Sequence, residues 1–320
     1  MNASQSTSHI RPVDIRKDLP AIADLIERCF AQTMDDEGRE YIRRIRQIGK
    51  NTQLLQLANR APEQSSVPMR GYVWEEDGRV IGNLTLIPLK RDEKPVYFIA
   101  NVAVQPEYRG RGIGQMLTEK ALQHIRIRSG AAAYLQVRDD NPGAVHIYRK
   151  CGFREFARRT TWEYVGRPGV KLELPKTMRI TGRRASDWTQ QQAWMKATHP
   201  ENVSWHLPLH LERFRPGIFP FLERALIGVE MVQLAVRRDD ELLGVVSCEI
   251  SRGITEWLWL ACRPGMETEA APALLQEACR HMPYSQKISL NYPASQCREV
   301  FLEAGFIDRL SLVWMEYPMD

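Results

Sequence analysis

The sequence predicts an α/β fold of the α+β kind: a mixed sheet carrying helices, built twice in tandem. Three observations carry this. Apolar runs of strand length alternate with helical runs, so both element types share each domain. A strand ending at Val104 leads through a loop of three alternating glycines into an amphipathic helix. The second half also repeats the first. Lys150-Cys151-Gly152-Phe153 matches Glu303-Ala304-Gly305-Phe306, and twelve residues after each glycine stands Tyr164 or Tyr317, each preceded by Glu.

The elements follow in order. Residues 1–8 read as a polar tail and Ile10–Val13 as a first strand. Asp18 is expected to cap the next helix, with Pro20 early in it; Ile22, Leu25, Ile26 and Phe30 form its buried face. Residues 31–60 keep a polar, helical character from Asp35-Asp36-Glu37 to Leu54-Leu55, and residues 61–68 read as a loop. Gly71–Glu75 and Val80–Leu89 make a hairpin about Asp77-Gly78. Val96–Val104 is the strand that enters the glycine loop. Beyond the loop, Ile113, Met116, Leu117, Ala121 and Ile125 mark one face of a helix ending near Gly130. Ala132–Arg138 is a strand, Pro142–Cys151 a helix stopped by Gly152, and Phe153–Tyr164 the last strand of a first domain spanning 9–165. Residues 166–176 read as a linker to a second domain, 177–320. There Met178–Trp188 echoes the opening of the chain. Leu234–Ser247, turning at Asp239-Asp240, echoes Val73–Thr85.

Composition sets the outer limits. A hydrophobic fraction of 43% and a charged fraction of 26% are those of a soluble globular chain, and 320 residues allow two domains. A formal charge of +5 suits a phosphate-rich small ligand and gives no argument for nucleic acid. The six cysteines are scattered without CxxC or paired His spacing, so no metal site is expected and reduced thiols are. The start is polar and lacks an apolar signal core, and no apolar run reaches membrane-spanning length. A cytoplasmic location with no membrane partner is the expectation.

The glycine loop is an anion site by chemistry. Gly110, Gly112 and Gly114 let backbone approach a bulky ligand, and the following helix offers free N–H groups and the positive end of its dipole. The Walker A pattern is absent, and the loop is not placed as a dinucleotide fingerprint is. The stretch V-x-V-x-P-x-x-R-G-x-G-x-G-x-x-L, Val102 to Leu117, resembles the acyl-CoA loop of the GNAT (GCN5-related N-acetyltransferase) superfamily. NPGAVHIYRKCGF, from Asn141, is similar to that family's second signature. The resemblance covers roughly residues 9–164 and implies acetyl-CoA as cosubstrate without a metal.

It also implies roles. Backbone N–H groups of Arg111, Gly112, Ile113 and Gly114 would hold the pyrophosphate, with Gly110 also at the cofactor. Arg109 and Arg111 could add charge, although Arg111 could equally face solvent. Main-chain groups of Asn101, Val102, Ala103 and Val104, freed where the strand splays at a bulge, would bind the pantetheine arm, and one N–H could serve an oxyanion. Tyr148 would protonate the departing thiolate or, alternatively, pack as a core tyrosine. Asn141 would bond the cofactor arm, cap the helix it precedes, or both. The resemblance supplies no base, because Val96–Val104 has no carboxylate. A water on Asn101 or Tyr97, or a carboxylate among Asp35, Asp36, Glu37, Glu75 and Glu76, stands open, with Glu75 and Glu76 also readable as turn residues. His146 reads as surface. Trp257 and Trp259 read as core or as a pocket wall.

The repeat differs where chemistry would be done. Phe301 replaces Tyr148, Ala294 replaces Asn141, and Cys262–Glu269 keeps one glycine and adds Glu267 and Glu269, which would repel a pyrophosphate. The second domain is therefore read as degenerate. The leading expectation is an N-acetyltransferase that passes an acetyl group to a primary amine by direct attack. The alternatives are another acyl donor such as succinyl-CoA, or an acyl-CoA sensor without turnover. The amine is not identified, and the chain could be a monomer or a homodimer.

Overall fold

The computed structural model describes residues 9–34, 36–51, 70–166, 174–250, 255–282 and 287–319. The expected tail (1–8), Asp35, the Leu54-Leu55 stretch, the 61–68 loop and most of the 166–176 linker lie outside these residues, as does the side chain of Glu37. The chain forms two compact units. The first runs to Phe156 and resumes at Val313; the second is Ala157–Leu312.

In the first unit, β1 (Ile10–Pro12) is followed by α1 (Ile15–Phe30) and α2 (Asp36–Lys50). Then come β2 (Gly71–Glu76), β3 (Arg79–Arg91), β4 (Lys94–Val104), α3 (Ile113–Ile127), β5 (Ala132–Arg138) and α4 (Pro142–Lys150). The strands lie in the order β1-β2-β3-β4-β5, antiparallel except for β4 beside β5. Beside β5 lies the end of β12 (Phe306–Pro318), the last strand of the chain. Asp77 and Gly78 take φ of 50° and 73° in the β2–β3 turn, the left-handed pair that a two-residue hairpin needs.

Each sheet face has its own core. Ile113, Leu117, Ala121 and Ile125 of α3 pack on Ile81, Leu84, Ile99 and Leu135. On the other face Leu19, Ile22 and Ile26 of α1 meet Ile42 and Ile45 of α2 over Val73. Each such Leu, Ile or Val side chain, fully buried, contributes about 1.5–3 kcal/mol. The cap of α1 is Asp14, not Asp18: Asp14 accepts the Arg16 N–H at 3.0 Å, so the helix starts earlier than expected. Asp18 instead accepts the Asp14 N–H at 2.8 Å and a two-pronged bond from Arg11. Burial pushes the Asp18 carboxyl up, but its bonds from Arg11 and Asp14 outweigh that and hold it below the usual range.

The second unit contains β7 (Met178–Gly182), α5 (Trp188–Thr198), α6 (Glu201–Ser204), α7 (Ile218–Ile227), β8 (Glu230–Arg238) and β9 (Glu241–Ile250). These are followed by β10 (Thr255–Cys262), α8 (Glu267–Arg280), β11 (Lys287–Pro293) and α9 (Arg298–Glu303). The order β7-β8-β9-β10-β11 repeats that of the first unit, again with one parallel pair, β10 and β11.

The units do not follow the linear boundaries 9–165 and 177–320, because each takes its closing strand from the other half of the sequence. From Ala157 onward β6 (Arg154–Tyr164) belongs to the second unit, where Trp162 stands opposite Leu290 of β11. The two echoed tyrosines explain the exchange. Tyr317 packs on Phe153 at 5.6 Å, and a Cβ on Gly152 would stand 2.9 Å from its ring. Tyr164 packs on Phe306 at 5.2 Å, and the Val165 N–H donates to Gly305 O. Each Gly-Phe corner is filled by the tyrosine of the other repeat.

Candidate active site

The site begins at a bulge in β4. Its register with β3 shifts between Asn83 and Thr85, and opposite this shift Asn101 takes a left-handed φ of 51°. The parallel ladder to β5 ends at Ile99–Leu135, so Ala100–Val104 continue beside β3 alone. This is the expected splay. Not all main-chain groups along it are open: Asn101 O accepts from Asn83 Nδ2 at 3.0 Å, and Val104 O accepts from the Cys29 thiol and Arg109 Nε, each at 3.3 Å. Val102 and Ala103 lie between them.

The loop then turns through Pro106–Tyr108. Gly110 and Gly112 take φ of 79° and 78°, and Gly112 stands at the N-cap of α3 with no side chain to cap it. The first helical bond runs from Met116 N–H to Gly112 O, so the N–H groups of Ile113, Gly114 and Gln115 have no helical partner. Gly114 is different from its two neighbours. Its backbone is helical, and a Cβ there would meet Ile147 Cδ1 and Val104 Cγ2 only at 3.9 Å. Nothing in the fold requires glycine, which costs a helix about 0.8–1 kcal/mol relative to alanine. Arg109 and Arg111 are exposed; Arg111 lies 3.4 Å from Glu76 and its guanidinium 5.2 Å from the Tyr108 ring centre.

α4 brings the second signature to the same place. Asn141 caps it, with Oδ1 accepting from Ala144 N–H at 3.1 Å. Ile147, which faces Gly114, precedes Tyr148. The Tyr148 ring is buried edge-on to Phe153 at 6.0 Å, and no hydrogen bond engages its hydroxyl among the described residues. Burial, with a smaller push from Cys151, raises its phenol far above the usual range, so it stays protonated.

The sequence-named base candidates are mostly engaged elsewhere. Asp36 pairs with Arg39 at 2.8 Å at the outer end of α2, and Glu76 pairs with Arg111. Glu75 is held by Arg11 and Lys17. Neither Glu75 nor Glu76 is a turn residue; both end β2. Tyr97 is buried against His124 on the α3 face, whereas Asn101 points to α2. Asn101 Nδ2 donates to Tyr41 Oη at 2.8 Å and to Thr85 Oγ1 at 3.3 Å. His146 is exposed, as expected. Tyr41, Thr85, Tyr134 and Glu316, none of them singled out by the sequence, lie on this same face of the sheet. The echo of Glu163 and Glu316 was a signal for the last of these.

Tyr134 of β5 donates its hydroxyl to Glu316 Oε1 at 2.7 Å and accepts from Arg91 Nη1 at 2.9 Å. Burial and the Glu316 carboxylate raise the Tyr134 phenol against the opposing pull of Arg91, so it remains a donor. Among the described residues no cluster of His, Cys, Asp or Glu could hold a metal, and no helix is long and apolar enough to cross a membrane.

In the second unit β10 stands against β9 without a register shift from Leu258 to Cys262. Trp259, three residues before Cys262 as Asn101 is before Val104, is buried with Met195 and Phe214. Trp257 stacks on it at 6.1 Å, so the tryptophan pair belongs to the core.

Residues 22–153 match the acetyltransferase (GNAT) family. The chain is 34% identical over 87 residues to mycothiol acetyltransferase of Rhodococcus jostii, covering 27% of this chain and 28% of that protein. It is 35% identical over 93 residues to N-alpha-acetyltransferase RimI of Mycobacterium tuberculosis, covering 29% of this chain and 57% of that one. It thus spans about a quarter to just over half of these relatives. A GCN5-related N-acetyltransferase from Sphaerobacter thermophilus has the same fold over 97% of this chain and 96% of its own, with a TM-score of 0.56 at 14% identity. The match to the acetyltransferase (GNAT) family thus covers residues 22–153, the stretch that holds the glycine loop, Asn141 and Tyr148.

Proposed function

We propose that the chain is an N-acetyltransferase that passes an acetyl group from acetyl-CoA to a primary amine, with the chemistry in the first unit. The observation that carries the reading is Gly114: a glycine the fold does not need, at a helix end with three N–H groups to spare. That leaves room for a pyrophosphate to approach the N–H groups of Arg111 to Gly114. The two arginines beside it are exposed, so Arg109 and Arg111 can turn toward phosphate. Val102 and Ala103, at the splayed end of β4, would bond the pantetheine arm, with Val104 packing beside Gly114. Asn141 keeps its cap and can still donate through its amide nitrogen.

The chemical step needs few groups. Acetyl-CoA supplies the thioester carbon that the amine nitrogen attacks. Tyr148 holds a proton at its hydroxyl at any physiological pH and donates it to the sulfur as the C–S bond breaks. The acetyl-CoA cosubstrate implies no metal. Thiol release from acetyl-CoA across a panel of amines tests the reading. Amine-dependent release supports it; coenzyme A binding with no release would leave a binding module, and acceptance of succinyl-CoA over acetyl-CoA would change the donor.

A further inference from the structure

Transfer to an amine needs a group that takes the proton the nitrogen loses, and β4 carries no carboxylate. Tyr134 stands opposite Phe98, one step before the Ile99–Leu135 pair at which β4 and β5 part. Ala133 and Leu135 belong to the α3-side core, so strand alternation turns Tyr134 to the other face, the one onto which Asn101 and Thr85 project. There its hydroxyl donates to Glu316, with Arg91 behind it. Glu316 is half-buried and, among the described residues, makes no ion pair. Its counterpart in the repeat, Glu163, lies 3.4 Å from Lys287 and 2.8 Å from Arg309. The same position is neutralised by two cations in one unit and left with a phenol in the other.

We infer that Glu316 receives the acceptor amine: its carboxylate attracts the ammonium form, which loses one proton to water to free its lone pair, and Glu316 takes a second N–H proton as the neutral nitrogen attacks the thioester. Tyr134 is the positioning residue that fixes this carboxylate. The C–N bond forms and the C–S bond breaks with its electron pair on sulfur, which takes the Tyr148 proton. Glu316 then loses its proton to water and Tyr148 regains one, so amine and thioester become amide and thiol. The end of the chain would thus supply the base that β4 lacks. The inference rests on the acyl-transfer reading above and deepens it.

The test uses the full chain, acetyl-CoA, and a diamine, an amino sugar and a peptide amine as probes. Glu316→Gln keeps an acceptor for Tyr134. It is expected to lower kcat/KM for the amine on the order of 10²-fold or more. The KM for acetyl-CoA and the melting temperature should stay put. Glu316→Asp should retain more activity than Glu316→Gln. Wild-type kinetics in Glu316→Gln would overturn the inference and leave acyl transfer standing. So would parallel losses of acetyl-CoA affinity and melting temperature in both variants, the mark of a structural tie. A wild-type chain that releases no thiol with any probe would overturn both.

Discussion

In the first unit β3 slips against β4, Asn101 takes a left-handed turn, and the strand leaves β5 after Ile99. In the second, β9 and β10 stay in register and a buried Trp259 stands where Asn101 does. The first unit's loop reaches an uncapped helix through glycines; the second opens its helix with Glu267 and Glu269, which complement the helix dipole themselves. Tyr148 becomes Phe301, fully buried. One frame therefore serves two ends. Where the strands part and the helix end is bare, backbone polarity is left over for a ligand. Where they do not, side chains fill the same volume.

The strand exchange ties these ends together, and breaking it should have the largest effect. Ending the chain at Leu312 removes Val313, Trp314 and Met315, which are 1%, 2% and 0% exposed. Each such loss costs about 2–5 kcal/mol, and together they rival the ~5–15 kcal/mol that holds a domain folded. The first unit should then lose its cooperative melting transition and become open to proteolysis. A fragment of residues 177–320 should fare no better, since it lacks Trp162, 3% exposed, and the β6 strand beside β11.

Next comes the tyrosine. Tyr148→Phe should lower kcat by about 10²–10⁴, the range of a general acid, with little change in melting, because the hydroxyl has no partner to lose. The reverse change sharpens the comparison. Phe301→Tyr should place a hydroxyl among Trp162 and Tyr292 in a filled core and destabilise the second unit by about 1–3 kcal/mol, without creating activity.

Gly114→Ala separates fold from ligand. The added Cβ fits, so the helix should gain up to about 1 kcal/mol. Coenzyme A affinity, read by calorimetry, should nevertheless fall about tenfold or more if the pyrophosphate lies against that backbone. Gly112→Ala should instead cost about 1–2 kcal/mol of stability through its left-handed φ.

These contrasts show what could be read from residues alone. Strand and helix periods, the Asp77-Gly78 turn, the glycine loop and the repeat are local signals, and each reappears in the structure. The cap of α1 was misplaced because Asp14 and Asp18 are both plausible caps, and only Arg11, brought in by β1, decides which one is drawn away. The strand exchange was invisible because the two repeats carry the same Gly-Phe and Glu-Tyr, so either tyrosine suits either corner. The echo of Glu163 and Glu316 marks both positions alike, and only the cations near Glu163 distinguish them.

A further small effect should come from a histidine walled in within the second unit. His199 is 3% exposed, beside Trp259, with Nε2 3.0 Å from Asn291 O. Arg159, also buried, donates to Asn291 Oδ1 at 2.8 Å and to Thr198 O at 2.6 Å, at the negative end of α5. Burial first and the Arg159 charge second push His199 down to about 3, against the backbone bonds that favour its charged form. Its folded value therefore lies below its unfolded one, near 6.5. The stability it contributes is complete above pH 6.5 and is lost as pH falls toward 3, because only the unfolded chain takes up the proton. At pH 5.5 the loss should be about 1.4 kcal/mol. Melting of the full chain across that window should slope less in His199→Gln than in the wild type. Parallel slopes would mean that the imidazole is charged in place, and that the second unit holds open polar space where its strands were read as closed.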